Sequence, residues 1–408
     1  MSLKLPSTVC ALPWTSIEAG PDGAARPCCL AAHDITNSDG TKYDLNVTTL
    51  EAAYHSEYMQ NLRKQFRDGV KPETCKRCWD EEAAGRASKR VFSKNKLRDV
   101  YNQIDWVNDK PDQLWFLDLK LGNICNLKCR ICSSYASSKW VEEELSYMGP
   151  NVKKEDTTTY SYFLKGQWPR KTTTFWENLK KLLPNVKYFE FTGGEPWLIK
   201  EHVELLQFAV ENGYSKNIEV HYNTNATQPP DKLAELWTNF KFVDIAFSID
   251  NVTKRYEYER YGANWEIVNK NIDTVHALRD RQSNMTTQLC FTINIQNVYY
   301  IDELLAWAET KNFSNIYFNM LHVPSYMSIQ CMTIEAQKLV IDKLSNTGWK
   351  PEYRKDVNNV IHFIENGKGS DGVEFRRRMK QMDIYRKQNF NDTHTEIAQA
   401  MGYNFIQS

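Results

Sequence analysis

LWFLDLKLGNICNLKCRIC, residues Leu114 to Cys132, is the stretch on which the fold reading turns. It starts as a strand and ends in three cysteines. Trp115, Leu117, Leu119 and Leu121 alternate with Phe116, Asp118 and Lys120, the period of two that a β-strand imposes. The loop that follows carries Cys125, Cys129 and Cys132 in a C-x3-C-x2-C spacing. A cubic four-iron cluster takes four ligands, commonly thiolates. Three close thiols leave one iron open to a small molecule, whereas a structural zinc is closed by four ligands. Taken alone, the triplet also fits zinc modules.

The chain has 408 residues, enough for two to three domains at roughly 150 residues each. Basic and acidic residues balance at 51 each, so bulk charge draws it to neither nucleic acid nor a membrane. No segment is long and apolar enough to span a bilayer, and MSLKLPSTVCALPW lacks a secretory apolar core. A cytoplasmic location is the expectation. Ten cysteines in such a compartment read as metal ligands or catalytic groups before disulfides. Eight of them precede Gly149-Pro150, and only Cys290 and Cys331 follow.

Three regions are expected: 1–112, 113–325 and 326–408. In the first, SIEAGPDGAARPCC reads as a hairpin turning at Asp22-Gly23 and ending at Cys28-Cys29. Leu50, Tyr54, Tyr58, Leu62 and Phe66 recur four apart and predict one helix over 48–68. Gly69 ends it, and KPETCKRCW then presents Cys75 and Cys78. Cys10, Cys28, Cys75 and Cys78 make four plausible ligands for one metal site, and spacing alone puts zinc slightly ahead of iron. Cys29 reads as a spare, packed thiol or a substitute for Cys28.

The middle region alternates strand and helix, the pattern of β/α units on a parallel sheet. Strands are expected at 114–121, 186–192, 218–225, 242–250, 287–295 and 315–321. Helices are expected at 134–148, 176–183, 202–211, 232–240, 265–279 and 301–310. Residues 150–172 are polar without a clear period and read as an irregular insertion. Six units predict a partial (β/α)6 barrel. One face of each strand is polar: Tyr188, Glu190 and Thr192; His221, Asn223 and Asn225; Asp244, Ser248 and Asp250; Cys290, Thr292 and Asn294. The opposite faces are mostly apolar. Helices over the apolar faces leave the polar ones around a cavity for a polar ligand; a half-solvated sheet is the plainer alternative. The loop TGGEP, Thr192 to Pro196, sits where a strand ends, and such sheets bind ligands there.

The cysteine spacing behind a first core strand resembles the radical S-adenosylmethionine superfamily. There the open iron of a [4Fe–4S] cluster is chelated by S-adenosylmethionine. The resemblance implies that Cys125, Cys129 and Cys132 hold that cluster, although the residue before the third Cys, Ile131, is often aromatic in the family. It implies that Gly193, Gly194 and above all Glu195 hold the methionine amino group. Asn225, Ser248 and Asp250 match further cofactor contacts, as do Thr292 and Asn294 more thinly. The run RYEYERYGANWEIVNKNI from Arg255 is similar to SPASM-type relatives. The order Cys10, Gly23, Cys28, Cys75, Cys78 resembles the SPASM and twitch modules, which hold a second, auxiliary [4Fe–4S] cluster, usually C-terminal to the barrel and here ahead of it.

What the resemblance implies is an oxidoreductase that cleaves S-adenosylmethionine reductively and abstracts a substrate hydrogen. Relatives often modify peptides or proteins, so a peptide substrate is the first expectation and a small molecule or nucleobase the second. A flavodoxin- or ferredoxin-type electron donor is implied as partner; no membrane or nucleic-acid partner is expected. A non-enzymatic zinc protein with two cysteine-rich sites is the alternative from another class. Catalytic acid and base residues are not assignable: His221, Glu190 and Cys290 share the cavity-facing parity but read as structural groups or cofactor contacts. Residues 326–408 read as helices at 333–344, 357–365, 373–387 and 395–401. The basic run EFRRRMKQMDIYRKQ reads as a solvated face, and Tyr403 and Phe405 as packing the tail. No P-loop, G-x-G-x-x-G or G-x-S-x-G motif is present.

Overall fold

The computed structural model describes residues 5–83, 85, 87–149, 152–166, 168–170 and 172–403. Phe405 lies outside them. Contacts divide the chain into two units, Met1–Ile124 with Lys165–Tyr222 and Lys232–Val243, and Cys125–Leu164 with Asn223–Asp231 and Asp244–Ser408.

The first unit begins with the expected hairpin, β1 (Ser16–Ala19) antiparallel to β2 (Ala25–Arg26). Gly23 turns it at φ +87°, a left-handed conformation that glycine adopts without strain. β1 also pairs in parallel with β3 (Phe116–Lys120), Ser16 opposite Phe116. β3 pairs in parallel with β5 (Tyr188–Thr192), and β5 with β6 (Glu219–Thr224). The cysteine-rich N-terminal segment therefore adds strands to the same sheet that carries the first barrel strands.

The single helix expected at 48–68 is two, Leu50–Tyr54 and Glu57–Arg67. Ser56 starts the second by accepting a hydrogen bond from the Met59 amide, as Thr49 does from Ala52 for the first. A serine that caps a new helix interrupts an unbroken apolar period. Arg63 is fully buried between them and donates to the carbonyls of Pro13, Tyr54 and Asp109, each at 2.7 Å.

The second unit carries the cysteine loop, with β4 (Lys128–Cys129) antiparallel to β8 (Arg260–Tyr261). It also contains most of β7 (Phe242–Ser248), then β9 (Met285–Ile293) and β10 (Asn315–Met320), the last two parallel with Asn315 opposite Gln288. Strands β3, β5, β6, β7, β9 and β10 alternate with helices in the pattern of a partial (β/α)6 barrel. Along β6 and β9 buried and half-buried residues alternate strictly, the buried ones apolar except Thr224 and Thr287. Residues 150–172 are not irregular throughout: Lys154–Lys165 is a helix despite three consecutive threonines of modest helix propensity. The segment expected as one helix from Ser134 opens with a 3-10 turn, Ser138–Trp140, before Val141–Met148.

The C-terminal region is helical, at Ile334–Asn346, Pro351–Glu365, Val373–Arg386 and Thr395–Ala400. The third of these is not simply a solvated face. Its Asp383 is buried and takes hydrogen bonds from Arg130 at 2.6 Å, Tyr258 at 2.8 Å and Tyr403 at 2.6 Å. Arg386 is buried against Glu143 at 3.0 Å, which Lys128 meets at 2.8 Å. Tyr403 thus ties down the tail as expected. Among the described residues no helix is long and apolar enough to cross a membrane.

Candidate active site and cluster seats

The TGGEP loop is built by close approach. Gly194, at φ +56°, lies where an added Cβ would come within 2.5 Å of the Ile124 carbonyl oxygen. The Glu195 amide donates to that same carbonyl at 2.7 Å. Gly193, at φ +73°, packs on Lys120, 2.9 Å from the position of such a Cβ. Only glycines fit these two positions, so the loop lies against the residue that immediately precedes Cys125. The Glu195 side chain is 1% exposed and accepts from the Trp197 amide at 3.2 Å.

In the second unit, Asn225 reaches the cysteine loop. Its Nδ2 lies 3.8 Å from the Cys125 sulfur and donates to Asn126 Oδ1 at 3.2 Å. Its Oδ1 accepts from the Thr227 amide and hydroxyl, at 2.9 and 2.6 Å, which fixes the side chain. Asp250 is buried, accepts from the Thr292 amide at 2.8 Å and pairs with Arg260 at 2.6 Å. Thr292 and Ser248 are half-buried. Asn294 is committed to its own turn: its Oδ1 accepts from the Gln296 amide at 2.9 Å and its Nδ2 donates to the Thr292 carbonyl at 3.0 Å.

Arg260 was not legible as a site residue. It stands opposite Cys129 in the β4–β8 ladder, and its Nη1 lies 3.8 Å from the Cys129 sulfur. Its Nε is buried without a hydrogen-bond partner among the described residues. The Cys132 side chain hydrogen-bonded to Cys129, and then Arg260, bring the Cys129 thiol down to about 7 against the cost of burial. A thiol so poised readily becomes the thiolate that a metal binds. Beside it, Cys132 lines a cavity of about 370 Å³ with Trp140, Glu144, Tyr147, Tyr326 and Arg378. Cys290 is different: burial pushes its thiol up to about 12.

The other four expected ligands meet in the first unit. Cys10, Cys28, Cys75 and Cys78 line one cavity with Leu12, Leu30 and Phe66. Burial pushes Cys10 and Cys28 up to about 12 as free thiols. The amides of Leu12 and Leu30 donate to Cys10 and Cys28, and that of Arg90 to Cys78. Cys29 does not line this cavity; it lies within electrostatic reach of Lys89, Asp118 and Lys120. Among the described residues no group of three or more ligand-type side chains is already arranged around a metal position. Four thiols around one apolar-walled cavity, met by amide donors, fit a multi-iron cluster held by four cysteines. Glu190 and His221 stand opposite each other in the β5–β6 register, and Glu190 pairs with Lys89 at 2.9 Å.

A family model described as Radical SAM superfamily matches residues 119–308, and one described as Iron-sulfur cluster-binding domain, the SPASM domain, matches residues 10–79. Residues 119–308 form a radical S-adenosylmethionine domain. A SPASM module lies ahead of it in the chain, and the two domains imply a [4Fe–4S] cluster, S-adenosylmethionine and an auxiliary iron–sulfur cluster as cofactors. That displaces the reading as a non-enzymatic zinc protein. The unpartnered Arg260 Nε and the thiol loop beside it suit an anionic cofactor group next to a thiolate-bound cluster. No curated protein matches the chain. Among solved structures, native anSMEcpe with bound AdoMet is 16% identical over 60% of this chain and 62% of its own, with a TM-score of 0.40. SuiB of Streptococcus suis is 13% identical over 90% of this chain and 71% of its own, with a TM-score of 0.37. SuiB bound to precursor peptide SuiA is 12% identical over 77% and 65%, with a TM-score of 0.35. The chain spans about 62% of the length of the anSMEcpe structure it matches.

Proposed function

We propose that this enzyme carries out an oxidative modification of a peptide or protein by radical chemistry. Cys125, Cys129 and Cys132 would hold the cluster that binds S-adenosylmethionine, and Cys10, Cys28, Cys75 and Cys78 the auxiliary one. When bound, the first cluster and S-adenosylmethionine supply a reductive cleavage to methionine and a 5′-deoxyadenosyl radical, which abstracts a substrate hydrogen. Gly193 and Gly194 would let loop backbone approach the cofactor, and Glu195 would accept from its amino group. Asn225 orients the Cys125 loop. Arg260, held by Asp250, would offer its Nε to the cofactor carboxylate. In the second unit, Ser248 and Thr292 would add polar cofactor contacts.

The observation that carries the peptide reading is the cavity beside Cys132. It is walled by Trp140, Tyr147, Tyr326, Glu144 and Arg378, a mixture of rings and opposite charges that suits an amino-acid side chain presented on a strand of backbone. Its volume of about 370 Å³ holds such a group. A flavodoxin- or ferredoxin-type protein would supply the electron. Cysteines read as metal ligands support a reducing compartment, the cytoplasm, as the setting.

The test replaces Cys125, Cys129 and Cys132 together by Ala. Release of 5′-deoxyadenosine under reducing, anaerobic conditions should vanish while the iron bound by the N-terminal module stays. Persistent release from the triple variant would count against the assignment.

A further inference from the structure

The match to the iron–sulfur module ends at residue 79, yet the four-cysteine cavity is not finished there. A later segment closes it. Ser88 starts the helix Lys89–Lys96 by accepting from the Val91 amide at 3.4 Å. The Arg90 amide faces Cys78, while the Ser88 hydroxyl donates to Glu82 Oε1 at 2.5 Å and the Ser93 hydroxyl to the Arg90 carbonyl at 2.9 Å. The side chains of Lys89 and Arg90 form part of the cavity wall. Each of these cations is balanced by one acid. Lys89 Nζ donates to both oxygens of Glu190 at 3.0 and 2.9 Å. Arg90 holds Glu82 through Nε at 2.9 Å and Nη2 at 2.6 Å.

An amide and two cations thus face the four-cysteine cavity from one helical turn. All of them favour negative charge on whatever the thiolates hold. Reduction of an iron–sulfur cluster adds one negative charge, and its potential follows net charge and hydrogen bonds to sulfur. We infer that the turn Ser88–Ser93 sets the reduction potential of the auxiliary cluster, raising it toward that of an electron acceptor, with the Lys89–Glu190 pair as the balance that fixes the setting. This rests on the reading of Cys10, Cys28, Cys75 and Cys78 as the seat of that cluster. Lys89 and Glu190 are positioning residues in this account; neither ligates iron.

The account predicts shifts of opposite sign. Lys89→Gln removes the cation and leaves Glu190 with the more distant Lys96, 3.6 Å away. Glu190→Gln leaves Lys89 without its counter-charge. The full-length protein is reconstituted with iron and sulfide without oxygen and titrated potentiometrically, with electron paramagnetic resonance as readout. The auxiliary signal is the one whose shape does not change when S-adenosylmethionine is added. Its midpoint should move down in Lys89→Gln, up in Glu190→Gln, and stay in Lys89→Arg. Unmoved midpoints, shifts of the same sign, or loss of the second cluster from both variants overturn the inference while the seat stands. An iron content near one cluster in the unmodified protein overturns the seat, and the inference with it.

Discussion

His202 shows how much a single buried group can contribute and when. It is fully buried in the first unit, with its ring 2.7 Å from the Tyr222 hydroxyl. Burial disfavours its charged form and lowers its pKa to about 3, whereas an unfolded histidine titrates near 6.5. The unfolded chain therefore binds a proton first as pH falls. Stability from the neutral ring is complete above about pH 6.5 and declines below it, at up to ~1.4 kcal/mol per pH unit while the native ring stays neutral. Urea unfolding midpoints between pH 7 and 4 should fall less steeply in His202→Gln than in the unmodified protein; parallel slopes would contradict this. At the same scale Cys28 and Cys29, adjacent in sequence, part company. Their spacing offers no means to choose, because the choice depends on which thiol the hairpin turns toward the other three cysteines. Arg260 was illegible for a similar reason. It ends a run of aromatic and charged residues, and only the two-residue ladder with β4 brings it to Cys129.

Elements follow the sequence where burial is one-sided. The strands were legible because apolar and polar residues alternate along them, and Trp265–Arg279 begins and ends where its periodicity does. Two helices from Leu50 to Arg67 read as one because Ser56 restarts the helix without disturbing the apolar spacing. The parallel pairing of β1 with β3 was not legible, since the choice of a distant strand partner is not written in local pattern. Nor was the buried use of the helix Val373–Arg386. Arg130 and Asp383 are both fully buried there as an ion pair. Removing one partner strands the other charge, which costs roughly 3–5 kcal/mol. Asp383→Ala should therefore lower the urea unfolding free energy by about that much, and Arg130→Met with Asp383→Leu should recover most of it. A loss below about 1 kcal/mol would show that the pair is hydrated rather than buried.

At the scale of the whole molecule the sequence carries two cysteine sets with different chemistry. One has three thiols, an unpartnered guanidinium Nε and an asparagine fixed against its first cysteine. The other has four thiols, amide donors and a wall of cations. As metal seats, the first arrangement would leave a position open for a further ligand, and the second would not. The match of one family model to residues 10–79 and another to 119–308 follows the same division. Reading the class of chemistry was possible because ligand counts are written in residue types. Reading the substrate was not, because no residue type around the cavity beside Cys132 is peculiar to one molecule. The central claim is two iron–sulfur clusters in one chain, and metal and sulfide analysis of anaerobically purified full-length protein tests it most directly. About eight iron and eight sulfide per chain, four of each per cluster, is the predicted result; zinc without iron would contradict it.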